Sequence, residues 1–329
     1  LTSAQSFWAM NTVMDGKATN DEIKQLLLGL KEKGESPAEI TSFVAVMLEH
    51  AVKLDVSSDA VDTCGTGGDS LGTVNISTAA ALVVAGCGIP VVKHGNRAAS
   101  SKSGSADLLE ALGINIDLDG AGVEKTFSEL GIGFCFAPVF HAAMRFAAPA
   151  RKELGTPTVF NILGPMANPA KPKAAAIGVA NERMHLVMAE VLSARGVDGF
   201  VFRGDDGLDE ITLATTTTVL TIGSGEMRGE RIDPLDFEIK RAPISDLVGG
   251  DATENARITM AIFAGEKGAP RDAVVLNAAA AIAAYEARFD LNLHQRMALG
   301  ISRAVDAIDS GAATHLVSKW AELTQKLRA

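Results

Sequence analysis

The sequence predicts an α/β protein: a small all-helical N-terminal domain, a larger α/β domain with a central, largely parallel sheet, and a helical C-terminal cluster. Three observations predict it. The first sixty residues carry helix starts and helical apolar spacing only, short β-like runs alternate with helical stretches from Ala60, and the chain beyond Asp251 reads as helical again. The expected division is residues 1–60 and 61–329.

Thr19-x-x-Glu22 is a capping box ahead of Ile23, Leu26, Leu27 and Leu30, and Gly34 closes that helix. Ser36-Pro37-x-Glu39 opens the next, with proline at the first helical position and Ile40, Phe43, Val44, Met47 and Leu48 along one face. A small helical domain of this kind often carries a dimer interface, and the same stripe fits packing on its own chain equally well. The strand candidates that follow are AVDTC, IPVVKH, GFCFA, AAAIGV, VDGFVF and TTVLTI. Between them lie helices over Ser77–Ala85, Ser105–Leu112, Gly122–Leu130, Phe140–Leu154 and Arg183–Ala194. VVLNAAAAIAAYEA and LVSKWAELTQKL are the clearest helices of the last part, and there is no internal repeat or low-complexity linker.

At 329 residues and 47% hydrophobic, the chain can bury a substantial core. Cys64, Cys87 and Cys135 are too few and too scattered for a disulfide framework or a zinc site, which fits a reduced cytoplasmic setting. The start, LTSAQSFWAM, lacks a basic segment followed by an apolar one and reads as a processed or truncated terminus rather than a signal peptide. The longest apolar run, Ala79 to Val92, is interrupted by glycines and Pro90 and is too short to span a bilayer. A net charge of −10 argues against nucleic acid or an anionic membrane surface as partner. Locally the balance differs. From Ser70 to Ala106, thirty-seven residues, there is no Asp or Glu, although 40 acids in 329 residues would place four or five there. The same window holds Lys93, Arg97 and Lys102. Such a window suits an anion, though burial of an apolar helix–strand unit would also clear it of acids.

Just before the window, Gly65-Thr66-Gly67-Gly68-Asp69 leads through Asn75, Ser77 and Thr78 into a helix. It is neither a dinucleotide fingerprint, since Ser70 replaces the last glycine, nor a P-loop, since no Gly-Lys-Ser/Thr follows. The physics is shared with both. Glycines let consecutive N–H groups point at a phosphate, and the helix adds its own unpaired N–H groups and dipole. An ordinary βα turn capped by Asn or Ser would look the same. A second donor-rich turn, VVKHGNRAASSKSGSAD, follows the next strand at its carboxyl end, where open α/β sheets bind ligands. A third element, RGDDGLDEIT, sets Asp209 beside Glu210 after a strand. Adjacent carboxylates suit Mg²⁺ bridged to phosphates, but with Asp205-Asp206 nearby the pair by itself reads first as an acidic surface loop.

Gly65-Thr66-Gly67-Gly68-Asp69, NIST, KHGNRAASSKSGSAD, RKELGTPTVFNILGPMANP and DGLDE, in this order, resemble the anthranilate phosphoribosyltransferases. This family of tryptophan biosynthesis joins anthranilate to phosphoribosyl pyrophosphate (PRPP), the second step from chorismate. The resemblance implies a homodimer and Mg²⁺, two ions. It implies PRPP binding by Gly65, Gly68, Asp69, Thr73, Asn75, Ile76, Ser77 and Thr78, by Lys93, His94, Gly95, Asn96, Arg97, Ala98, Ala99, Ser100 and Ser101, and by Ser105. Gly65, Asn96, His141 and Arg151 would line the anthranilate path, Arg151 pairing with the carboxylate. Ser77 would touch one Mg²⁺, and Asp209 and Glu210 would hold the second. Ala142 stands where the family commonly has proline after His141, which bears on the shape of the anthranilate entrance and not on the chemistry.

The implied reaction is dissociative, because anthranilate's amine is a weak nucleophile. Ribose becomes oxocarbenium-like while charge grows on the departing pyrophosphate, with Mg²⁺, the turn's N–H groups and Lys93 stabilising it. Lys93 and His94 are the catalytic candidates, His94 as acceptor of the amine proton or as a hinge of the loop. No covalent nucleophile is called for. The alternatives are a pyrimidine nucleoside phosphorylase, which leaves KHGNR and Asp209-Glu210 unexplained, and a noncatalytic nucleic-acid-binding relative, disfavoured by the charge and a single Tyr.

Overall fold

The computed structural model describes residues 1–98 and 101–328. Three helices open the chain: α1 (Ser3–Met14), α2 (Asn20–Lys33) and α3 (Pro37–His50). Each begins in a reciprocal capping box, Thr2 with Gln5, Thr19 with Glu22 and Ser36 with Glu39. Their apolar faces (Met10, Ile23, Leu27, Ile40, Phe43) are buried on the same chain, in a core completed by Ala150, Phe160, Met184 and Met188 and by Ile177 and Val201 of the sheet.

The sheet has seven strands: β1 (Val61–Gly65), β2 (Val91–Gly95), β3 (Ile132–Phe136), β4 (Ala174–Gly178), β5 (Asp198–Gly204), β6 (Thr217–Gly223) and β7 (Glu226–Ile232). Their spatial order is β3-β2-β1-β4-β5-β6-β7. The first five run parallel and the last two antiparallel. Continuous apolar burial along β3 and β4 reflects helices on both faces. The sequence reading missed β7, whose residues are mostly charged and exposed. The Ser224-Gly225 turn makes it a strand, because φ of 50° and 76° gives the hairpin twist that folds it onto β6.

The remaining helices are α4 (Ile76–Gly86), α5 (Ser105–Ala111), α6 (Gly120–Leu130), α7 (Ala137–Phe140), α8 (Ala148–Leu154), α9 (Phe160–Leu163), α10 (Glu182–Ala194), α11 (Ala252–Phe263), α12 (Ala269–Glu286), α13 (Leu293–Asp309) and α14 (Ala312–Lys326). The expected single helix Phe140–Leu154 is instead α7, a 3₁₀ turn over Ala142–Phe146, and α8. His141 leaves helical geometry at φ −122° and ψ 51° to bond Ala167 O, and Pro149 suits only the start of a new helix. Alanine-rich α12 is buried on all sides between α4, α13 and the sheet, with side chains small enough for close approach. No described helix is long and apolar enough to cross a membrane.

Candidate functional site

The chemistry-bearing residues gather at the carboxyl ends of the parallel strands. β1 ends in Gly65, β2 in Gly95 and β4 in Gly178, while Asp209 and Glu210 follow β5. The acids are 7% and 6% exposed, so the reading of DGLDE as a surface loop is wrong for these two. Asp205 and Asp206 hold the loop's outer part, Asp205 accepting from Thr218 Oγ1 at 2.9 Å and Asp206 from Thr212 Oγ1 at 2.6 Å. The chain thereby turns Asp209 and Glu210 inward.

Two glycines make room for them. A Cβ on Gly65 would lie 2.2 Å from Asp209 Oδ2, and one on Gly178 would lie 1.8 Å from the Asp209 carbonyl oxygen. Asp209 Oδ2 accepts the Gly67 N–H at 2.6 Å, and Glu210 Oε1 accepts the Ser77 N–H at 3.1 Å, while Glu210 Oε2 is buried with no partner among the described residues. Burial, and for Asp209 the neighbouring Asp69, push Asp209 up to about 7; burial and Asp209 push Glu210 up to about 8. Lys93 acts against the rise at Glu210. Its amine is 3% exposed and donates to Thr63 O, so it works from beneath the site rather than from a loop.

The glycine turn uses the conformation that only glycine adopts readily, with φ of 71° at Gly67 and 86° at Gly68. Asp69 Oδ1 accepts the Leu71 N–H at 3.1 Å. Thr73 bridges to Val248 and the Ile76 N–H bonds Val74 O, while the Ile76 and Thr78 side chains are buried. Asn75 occupies the N-cap position of α4 but makes no capping bond, contrary to the expected cap. Its amide donates instead to Ser103 O at 3.0 Å.

The second turn closes on itself. Asp107 Oδ2 accepts the Ala98 N–H at 2.9 Å and the Gly104 N–H at 2.7 Å, stapling the loop's two ends. Asn96 Oδ1 accepts the Arg97 N–H at 2.7 Å, and Ser105 Oγ donates to Asn96 O at 3.3 Å, against Gly95. Ser101 Oγ reaches Ser103 O at 3.4 Å. Ala99 and Ser100 lie outside the described residues. Arg97, expected to face an anion, is engaged by Asp107 at 3.1 Å and by Glu110. The acid-free window ends at Ala106, inside the helix whose acids Asp107 and Glu110 fold back onto it.

His94 and His141 meet edge to face, with ring centroids 5.0 Å apart. His94 Nδ1 donates to Gly164 O at 2.9 Å, a carbonyl that can only accept, so Nε2 carries the lone pair; it is buried with no partner. Burial and the adjacent His141 push the His94 pKa down to about 3, and burial lowers that of His141. Arg151 lies over the Phe160 ring at 5.6 Å, and burial lowers its pKa; among the described residues it pairs with no carboxylate. A half-buried guanidinium of this kind suits a planar carboxylate.

Hard oxygen donors and the orphaned Glu210 Oε2 fit Mg²⁺. Among the described residues no three His, Cys, Asp or Glu side chains form an all-protein cage, so a metal here would complete its shell from water or substrate oxygens. Sequence reasoning missed Gly178 and Asp107. Asp107 carried a visible signal, an acid at the third position of a helix after Gly-Ser. Gly178 carried none.

The Glycosyl transferase family, a/b domain, matches residues 57–314, and the Glycosyl transferase family, helical bundle domain, matches residues 1–51. The anthranilate phosphoribosyltransferase of Rhodococcus jostii (strain RHA1) is 52% identical over 327 residues, which span 99% of this chain and 90% of that protein. The crystal structure of anthranilate phosphoribosyltransferase from Thermus thermophilus matches with a TM-score of 0.91 at 39% identity, over 100% of this chain and 96% of that one. The Saccharomyces cerevisiae enzyme in complex with PRPP and Mg matches with a TM-score of 0.88 at 26% identity, over 99% and 94%.

Proposed function

The chain belongs to the anthranilate phosphoribosyltransferase family, and we propose that it transfers the 5-phosphoribosyl group from PRPP to the amine of anthranilate, in tryptophan biosynthesis. The observation that carries this reading is the buried Asp209–Glu210 pair set against the glycine turn and the N-terminus of α4.

In this reading PRPP lies between the two donor-rich turns, its phosphates near Gly65, Gly68, Asp69, Thr73 and the segment Asn75–Thr78 on one side and near residues 93–98 and Ser101 with Ser105 on the other. Asp209 and Glu210, with Ser77, hold Mg²⁺, two ions in the full complex. Bound Mg²⁺ supplies charge neutralisation for the pyrophosphate as the ribose C1–O bond breaks. Because burial raises the pKa of both carboxyls, to about 7 and about 8, Mg²⁺ binding at neutral pH would displace the protons they retain. Lys93, fixed on Thr63 O, eases ionisation of Glu210. The turn's N–H groups stabilise the leaving charge, and removing one such donor typically costs about a hundred- to a thousandfold in rate.

Arg151 receives the anthranilate carboxylate beside Phe160, and Gly65 and Asn96 flank the amine's approach. His94, neutral and with its buried Nε2 lone pair unpaired among the described residues, accepts the amine proton, and His141 packs edge to face against its ring. Residues 1–60 serve as the helical unit and 61–329 as the catalytic one, in a cytoplasmic homodimer. Exposed Phe7 and Trp8 on α1, with Phe146 packed beside Gly16, offer the dimer an apolar surface.

The test is anthranilate fluorescence followed after adding PRPP, with and without Mg²⁺. Loss of signal only when both are present is expected. A flat trace from folded protein overturns the reading and directs the next assay to thymidine or uridine with phosphate.

A further inference from the structure

A residue outside both donor-rich turns ties them together. Asn255, in the first turn of α11, is 1% exposed. Its Oδ1 accepts the Gly250 N–H at 2.8 Å, and its Nδ2 donates to Asn75 Oδ1 at 2.8 Å across 180 positions of sequence. Asn75 Oδ1 also accepts Ser103 Oγ at 3.0 Å, while Asn75 Nδ2 donates to Ser103 O at 3.0 Å. The orientation of both amides follows from their partners. A backbone N–H needs the oxygen of Asn255 and a carbonyl needs the nitrogen of Asn75, so Asn255 is left to donate.

The backbone around this contact is paired as well. Val74 N–H bonds Leu247 O at 2.9 Å and Gly249 N–H bonds Gly72 O at 3.0 Å. A Cβ on Gly249 would lie 2.4 Å from Asn255 Oδ1 and 3.0 Å from Val74 Cα, so the lead-in to α11 is closely fitted to the exit of the glycine turn.

An asparagine at an N-cap ordinarily turns its side-chain oxygen onto the N–H groups of its own helix. Asn75 has that position and makes no such bond, because its oxygen already serves Asn255 and Ser103. We propose that Asn255 is a positioning residue for PRPP: it holds the Asn75 side chain off the start of α4, where the Ser77 N–H is bonded to Glu210 Oε1 instead, and through Asn75 and Ser103 it fixes the glycine turn against the second loop. The proposal rests on the phosphoribosyl-transfer reading.

Asn255→Asp keeps the size and the acceptor for Gly250 N–H but removes the donor toward Asn75. Steady-state kinetics with both substrates should show the PRPP KM rising about five- to tenfold, the effect of one lost hydrogen bond, with the anthranilate KM within about twofold of the parent. In an Asn75→Ala background the same change should add nothing to the PRPP KM. An unchanged PRPP KM, or an equal effect with and without Asn75, overturns the proposal. If Asn255→Asp folds poorly, Ser103→Ala reads the same tie from the second loop: a PRPP-selective rise supports it and parent-like kinetics overturn it. The parent is assayed first. An inactive parent counts against the transfer reading, whereas an active parent with unaltered variants counts against the role of Asn255 alone.

Discussion

Gly178→Ala tests whether Asp209 and Glu210, the proposed Mg²⁺ ligands, depend on one bare position in the neighbouring strand. Gly178 ends β4 with no positive φ, so alanine suits its backbone; only the space is wrong. The added Cβ would lie 1.8 Å from Asp209 O, 2.4 Å from Asp209 C and 3.1 Å from Glu210 N. These are backbone atoms that cannot swing aside, and the Asp209 carbonyl must retreat by roughly 1.5 Å to reach ordinary contact. Asp209 Oδ2 holds the Gly67 N–H at 2.6 Å, a bond that a shift of that size breaks. Misplacing a catalytic group by about 1 Å costs on the order of a hundredfold in rate, and overpacking costs about 1–3 kcal/mol of stability. The expected result is a fall of about a hundredfold in kcat/KM for PRPP, a higher Mg²⁺ concentration for half-maximal rate, and a melting temperature lower by a few degrees. Gly229→Ala on β7 is the control, since its Cβ would meet only Leu220 Cδ2 at 3.6 Å, and it should stay within about twofold of the parent. Parent-like rate and Mg²⁺ requirement in Gly178→Ala would refute the idea that Asp209 and Glu210 are set by this contact.

Three further outcomes follow from the site. Arg151→Ala should mainly raise the anthranilate KM, because it removes binding and not leaving-group stabilisation; an unchanged anthranilate KM contradicts its role. Glu210→Gln should raise the Mg²⁺ needed and lower kcat by about a hundredfold or more, and normal Mg²⁺ titration would remove Glu210 from the metal site. His94 titrates near 6.5 when unfolded but is held down to about 3 when folded, by burial and then by His141. Its contribution to stability is therefore complete above pH 6.5 and lost as pH falls, reaching about 2 kcal/mol at pH 5. Denaturant unfolding at pH 7.5 and 5.0 should show the parent losing about that much more than His94→Gln, and equal losses would mean that His94 takes up its proton in the fold.

Much of the molecule was legible in the chain. Capping boxes at Thr19 and Ser36 act within four residues, and parallel strands covered on both faces read as apolar runs, so most of these elements stand near their expected places. The two donor-rich turns were visible because their chemistry is contiguous in sequence. What misled was local pattern without partners. Phe140–Leu154 has helical spacing, yet the bond from His141 to Ala167 O breaks it, and β7 has no strand pattern until β6 supplies the pairing.

Read alone, the sequence determined most of the element types, though not β7 or the break in Phe140–Leu154, together with the two phosphate-like turns and the residue classes of the site, because these depend on periodicity, capping and neighbours along the chain. Only the tertiary structure decided that Asp209 and Glu210 are buried, that Arg97 is engaged by Asp107 and Glu110, that Lys93 works from beneath the site, and that Asn255 restrains Asn75. Each of these is a contact between side chains that are not neighbours along the chain, from ten residues apart at Arg97 and Asp107 to 180 at Asn75 and Asn255, or a burial set by such contacts. Desolvation and hydrogen bonding act through space, and no pattern along the chain encodes which distant atom will be there to receive the bond.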